Sequence, residues 1–108
     1  MKPASSNAEA SSSNPLLSIV LTSYTTERLR DIFELLDAIR AQTYPNIETI
    51  FVVERSKELF HRVKSYMEEL MPNAKIIFNY GERGEGAARN LGVKEAKGEI
   101  VAFLDDDT

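Results

Sequence analysis

Three consecutive carboxylates, Asp105, Asp106 and Asp107, follow directly on the apolar segment Glu99–Leu104. Adjacent carboxylates repel one another and raise one another's pKa. A divalent cation reverses that penalty. Mg²⁺ and Mn²⁺ prefer oxygen ligands, and Mg²⁺ commonly combines one or two carboxylates with substrate phosphates. In extended backbone Asp105 and Asp107 point to one side and Asp106 to the other, so a metal and a sugar hydroxyl can be served separately. The alternative, a solvated strand end or acidic helix cap, is weakened by the buried-type strand that feeds straight into the run. A divalent-metal and diphosphate site is therefore expected here.

A second cluster precedes it. The segment Gly84-Glu85-Gly86-Ala87-Ala88-Arg89-Asn90 lets backbone approach a ligand closely and opens a helix whose N-terminus suits anions. Arg89, one turn in, has the reach to grip a phosphate bidentately. Taken alone, Gly-x-Gly at a helix start serves a plain tight turn equally well. Elsewhere, Thr22, Ser23 and Tyr24 follow an apolar run, with Tyr24 either stacking on a base or covering the sheet end. Glu54 and Arg55 offer either a rim ion pair, worth little when exposed, or contacts to a nucleobase. His61, the only histidine, reads as a surface residue of a helix.

These clusters need elements to position them, and the hydrophobic period supplies a regular alternation. Leu16–Leu21 is an apolar run broken only by Ser18, as expected of a strand buried on both faces. A helical stripe follows at Leu29, Ile32, Phe33, Leu36 and Ile39, with Thr25 or Thr26 as its cap and Tyr44-Pro45 as its stop. Ile47–Val53 reads as the second strand. Ser56 caps a second helix carrying Leu59, Phe60, Val63, Tyr66, Met67 and Leu70, which Pro72 ends. Lys75–Tyr80 is the third strand, Glu85 to Lys97 a third helix stopped by Gly98, and Glu99–Leu104 the fourth strand. This β-α-β-α-β-α-β order predicts a doubly wound, Rossmann-like three-layer α/β/α fold with a mainly parallel sheet. In such sheets ligands bind beyond the carboxyl ends of the strands, near the point where strand order reverses. All four polar clusters fall at such ends.

Bulk properties narrow the class. At 108 residues the chain is one domain at most, with no cysteine for a disulfide framework or a thiolate metal site. The lack of cysteine accords with a reducing cytosol, and the expected location is cytoplasmic or at the cytoplasmic face of a membrane. A net charge of −4 without a basic stretch gives no footprint of a nucleic-acid binder. No apolar segment approaches the ~20 residues that span a bilayer. Met1–Asn14, rich in Ser, Ala and Asn, reads as a disordered leader rather than a signal peptide, leaving residues 15–108 as the folded part.

The stretch from Gly84 through Arg89, Gly98 and Leu104 to Asp107 closely resembles the signature of family 2 glycosyltransferases with the GT-A fold. Ser18–Tyr24 looks like that family's first strand, and Gln42-Thr43-Tyr44-Pro45-Asn46 like the end of its first helix. The resemblance covers Leu16 to Thr108. It implies transfer of a sugar from a nucleoside-diphosphate donor, a UDP-sugar above all, to an acceptor glycan, lipid or protein, usually with inversion and with Mn²⁺ or Mg²⁺. By the same resemblance Thr22, Ser23 and Tyr24 would hold the nucleobase. Glu54 would stand where the family usually has an aspartate that reads the base, Gly84 and Gly86 would line the nucleotide, and Arg89 would face base or diphosphate. Asp105-Asp106-Asp107 would be the Asp-x-Asp element, with Asp107 and Asp105 toward the metal and Asp105 or Asp106 toward the ribose.

Two departures stand out. Where the family commonly reads Val-Val-Asp-Asp-Gly-Ser, this chain has Val52-Val53-Glu54-Arg55-Ser56. The carboxylate that would deprotonate the acceptor hydroxyl is expected downstream of Thr108, so the resemblance implies a truncated GT-A fold, inactive alone. Two other readings compete. A dinucleotide-binding Rossmann unit is supported by Gly84-x-Gly86 after a strand, with Asp106 20 residues beyond Gly86; Arg89 at the third glycine position opposes it. A non-enzymatic, receiver-like Mg²⁺-binding domain leaves the glycine loop unexplained.

Overall fold

The computed structural model describes residues 15–80 and 85–105. The proposed leader, Gly84, Asp106 and Asp107 lie outside the described residues.

Four strands form one parallel sheet: β1 (Leu17–Ser23), β2 (Ile47–Glu54), β3 (Lys75–Asn79) and β4 (Ile100–Asp105), in the order β3-β2-β1-β4. Between them run α1 (Leu29–Arg40), α2 (Lys57–Leu70) and α3 (Glu85–Glu95). The expected doubly wound α/β/α architecture is what the chain adopts. Because side chains alternate along a strand, β1 and β2 serve two cores. Ile19, Leu21, Phe51 and Val53 join Ile32, Leu36 and Ile39 of α1 and Leu59, Val63 and Met67 of α2. On the other face Val20, Ile50 and Val52 meet Ala88 and Leu91 of α3. Val20, Ile50, Val52 and Val53 are all fully buried, as the continuous apolar runs require.

Local signals account for the helix starts. Ser56 Oγ accepts from the Leu59 N–H at 3.0 Å, satisfying one of the orphan donors of α2. Thr25 Oγ1 accepts from Glu27 N, so the expected cap is Thr25, and it caps a 3-10 turn (Thr26–Arg28) that runs on into α1. α2 stops at Leu70, two residues before Pro72, where an α conformation for the preceding residue is disfavoured.

Several strand boundaries differ from the sequence reading by one residue, and two boundaries move by two. β1 continues through Thr22 and Ser23 because both are paired with β2, and Thr22 with β4 as well. α3 ends at Glu95, before Gly98, which therefore does not stop the helix. Gly98 is needed for space instead. A Cβ there would lie 2.5 Å from Ser18 Oγ and 2.7 Å from the Leu16 carbonyl oxygen.

Ser18, the one polar interruption of the β1 run, is fully buried and anchors a polar clasp. Its hydroxyl donates to Glu48 Oε1 at 2.7 Å and accepts from Gly98 N at 2.8 Å. Glu48 Oε1 also accepts from Lys97 N at 2.9 Å, and Lys75 Nζ stands 3.5 Å from Oε2. Burial pushes the Glu48 carboxyl up, but the Lys97 N–H, the Ser18 hydroxyl and Lys75 together outweigh it. The net position is below the ordinary glutamate value of 4.5. The clasp ties β1, β2 and the entry to β4 together at the amino edge of the sheet.

Two outcomes are expected. A Cβ on Gly92 of α3 would approach Val20 Cγ1 to 2.4 Å, so Gly92→Ala forces α3 off the sheet and costs about 1–3 kcal/mol, read as a lower midpoint in urea unfolding. A group whose native pKa is depressed contributes stability above its unfolded pKa and loses it as pH falls through the native value. Wild type should therefore exceed Glu48→Gln in stability near pH 7, and that margin should shrink as pH falls below the ordinary glutamate range; an unchanged margin in acid would refute the role of the charge.

Candidate functional site

The sheet order reverses at β1: β2 and β3 lie to one side of it and β4 to the other. The crevice at such a reversal opens beyond the carboxyl ends of the strands. The ends of β1 and β4 are in direct register there, Thr22 opposite Asp105. On the other flank Ser23 is opposite Val53, and Glu54 opposite Asn79. Thr22, Ser23, Glu54 and Asp105 thus reach one rim because three strands end level, and none depends on a flexible loop for its backbone position.

Glu54 is buried, 7% exposed, at the last residue of β2. Its Oε2 accepts from Asn79 Nδ2 at 3.1 Å. Oε1 accepts no hydrogen bond among the described residues. The rim ion pair between Glu54 and Arg55 does not form; the Arg55 guanidinium lies over the Tyr24 ring instead, 5.3 Å from its centroid. Tyr24 is 58% exposed, so it caps the end of β1 with one face toward a cation and much of its surface toward solvent.

Arg55 also carries an unusual backbone. Its φ is 72°, a positive value in a non-glycine residue, and Ser56 N donates to Glu54 O at 2.8 Å across it. A hydrogen bond spanning one residue at positive φ is the rare, strained form of the γ-turn. One residue alone separates the end of β2 from the cap of α2, and this turn makes the connection.

Gly86 is the second residue of α3, and an added Cβ there would meet nothing within 4 Å among the described residues. Arg89 is half-buried on α3, with its guanidinium 5.6 Å from the centroid of the Phe103 ring on β4. An open groove of about 540 Å³ runs along α3, lined by Asn79, Ala87, Asn90, Leu91, Val93 and Lys94. It meets the rim at Asn79, the residue that holds Glu54.

The donor set suits a hard cation. Asp105, an aspartate, ends β4 at the strand-order reversal, and oxygen donors with open positions for phosphate oxygens are the usual environment of Mg²⁺ and Mn²⁺. Among the described residues no group of three His, Cys, Asp or Glu gathers at one place; Asp106 and Asp107 are outside them. His61 is exposed on α2, in edge contact with Phe60. The positive φ of Arg55 was not legible from residue types, because the sequence reading ended the strand at Val53 and so left two residues before Ser56 rather than one.

Residues 18–108 match Glycosyl transferase family 2. The glucosyl-dolichyl phosphate glucuronosyltransferase of Haloferax volcanii is 31% identical over 91 residues, 84% of this chain and 29% of that protein. An uncharacterised glycosyltransferase of Rickettsia typhi is 37% identical over 95 residues, 87% of this chain and 28% of the other. Among solved structures, the mannosyltransferase PcManGT from Pyrobaculum calidifontis, in complex with GDP-Man and Mn²⁺, is similar with a TM-score of 0.75 at 26% identity, covering 87% of this chain and 28% of that one. TarS 1–349 of S. aureus, in complex with UDP-GlcNAc, gives 0.69 at 27%, covering 85% and 26%. The chain spans less than a third of the length of each of these proteins. The four-stranded parallel sheet flanked by helices is that of the GT-A glycosyltransferases, and the chain belongs to glycosyl transferase family 2.

Proposed function

We propose that this chain binds a nucleoside-diphosphate sugar in a metal-dependent manner, as the donor-binding part of a glycosyltransferase that passes the sugar to an acceptor hydroxyl with inversion. The observation that carries this reading is the register of Thr22 with Asp105 at the strand-order reversal. An aspartate in backbone register with a threonine at that crevice is the residue pair that a ribose and a metal-bound diphosphate would call for. Two similar solved proteins, one holding GDP-Man with Mn²⁺ and the other UDP-GlcNAc, support a donor of this class.

In this reading the rim divides by strand. Tyr24 and Glu54, at the ends of β1 and β2, take the base, with Thr22 and Ser23 lining its approach. Asp105 and Asp106 address the ribose, and Asp107 with Asp105 holds Mn²⁺ or Mg²⁺. A cation bound there supplies Lewis-acid neutralisation of charge on the departing diphosphate. The N-terminus of α3, with Gly84 and Gly86, offers backbone N–H groups and the positive end of the helix dipole to phosphate oxygens. Arg89 acts from the β4 side, over Phe103. The acceptor, whether glycan, lipid or protein, needs a base within hydrogen-bond reach of its hydroxyl, and no described residue is given that role. Among the described residues no helix is long and apolar enough to cross a membrane.

The dinucleotide reading is less well supported. Its glycine loop should follow the central first strand, whereas here the strand before the glycines is β3, at the edge of the sheet.

Calorimetric titration with UDP, GDP and NAD, with and without Mn²⁺, tests the proposal. Binding of UDP or GDP should need the metal and weaken at least about tenfold in Asp107→Ala, the loss of one charge-assisted contact. Metal-independent binding of NAD would sink it. Gly86→Ala should raise the unfolding free energy by up to about 1 kcal/mol, because alanine favours the helix and its methyl meets none of the described residues. The same variant should bind the nucleotide more weakly, since the new methyl occupies the ligand's path; unchanged affinity would remove Gly86 from the site.

A further inference from the structure

The chain keeps a strained residue where a more permissive one would fit. Between Glu54, the end of β2, and Ser56, the cap of α2, a single residue must reverse the backbone, and it does so at a φ of 72°. Glycine adopts that conformation freely and asparagine readily. Arginine does so only against a steric cost. The turn directs its guanidinium over Tyr24 rather than onto the neighbouring Glu54 carboxylate. Two groups of opposite hydrogen-bonding character therefore stand side by side on the rim without satisfying each other. The guanidinium is donor only. Glu54 Oε1 is acceptor only, and among the described residues nothing donates to it, because Asn79 holds Oε2.

We propose that Arg55 is a specificity-determining residue for the donor's base, forming with Glu54 a donor–acceptor pair that selects a base carrying a carbonyl oxygen beside a ring N–H. This rests on the reading that the rim binds a nucleoside diphosphate. Uracil and guanine both present such an edge. Adenine and cytosine present the reverse, an exocyclic amino group beside an unprotonated ring nitrogen. Against them the guanidinium would meet a donor and the carboxylate a lone pair, and buried polar groups left unmatched discriminate strongly. Tyr24 holds the guanidinium at the rim through the cation–π contact and supplies apolar surface beside it. The position also separates base from phosphate: the end of β2 lies on the opposite flank of β1 from Asp105, so Arg55 addresses the base.

The test is calorimetry of the 108-residue chain with Mn²⁺ and, in turn, UDP, GDP, ADP, CDP and inorganic pyrophosphate, repeated on Arg55→Gly and Arg55→Asn with thermal melts of each. Wild type should bind UDP or GDP at least about tenfold more tightly than ADP and CDP. Both variants should melt no lower than wild type, since each accepts the left-handed backbone more easily. Both should lose the preference to within about threefold while keeping their affinity for pyrophosphate. A preference that survives in both variants overturns the proposal, as does an equal loss for pyrophosphate and nucleotides. Equal wild-type binding of all four nucleotides overturns it too, while leaving the donor-binding reading intact. Failure of wild type to bind any of them overturns that reading, and this one with it.

Discussion

The central constraint in this chain is that β1 must be buried on both faces and hydrogen-bonded on both edges at once. Its neighbours β2 and β4 arrive from opposite directions along the chain, and its side chains serve two separate cores. A strand so placed tolerates neither a polar interruption nor a bulky neighbour without compensation. Ser18 is compensated by Glu48 and the Gly98 N–H, and α3 reaches Val20 only because residue 92 has no side chain. The reversal of strand order, and with it the crevice, follows from β1 being occupied on one edge before β4 arrives. The chemistry collects at that crevice because backbone ends there, not because any one loop was shaped for it.

Much of this was legible from periodicity. The apolar runs of β1 and β2, the stripes of α1 and α2 and the cap at Ser56 all appear where the pattern put them, since each follows from local sterics and from which face must be dry. What escaped the sequence depended on contacts across it. The helix stop assigned to Gly98 was wrong because a glycine after a helix has two common uses, ending the helix and allowing close approach. Only the position of Ser18 distinguishes them. Ser18 read only as an interruption; its partner Glu48, 30 residues away, emerges when the parallel register brings the two opposite each other.

The rim was legible in kind but not in arrangement. Residue types marked Glu54, Arg55 and Tyr24 as polar or aromatic groups at strand ends. Their pairing was not: Glu54 turns to Asn79 and Arg55 to Tyr24, leaving the adjacent charges apart. That choice is set by the γ-turn, a backbone state that arginine's own preferences argue against. The aspartate run keeps its expected place at the head of β4 as far as Asp105, which adds a fact that composition could not: the first of the three carboxylates is a paired strand residue.

The clasp at the opposite edge has a consequence for that carboxylate. Ser18, Glu48 and the Lys97 and Gly98 N–H groups fix the point at which the chain enters β4, a strand of six residues that ends on Asp105. Side chains alternate along a strand, so a slip of one residue would carry every group about 3.3 Å along the sheet and turn it to the other face. Asp105 would then no longer stand opposite Thr22. The buried polar knot at the amino edge thus works as an indexing stop. It sets the register in which the first aspartate meets Thr22 at the far end, a strand's length from any ligand.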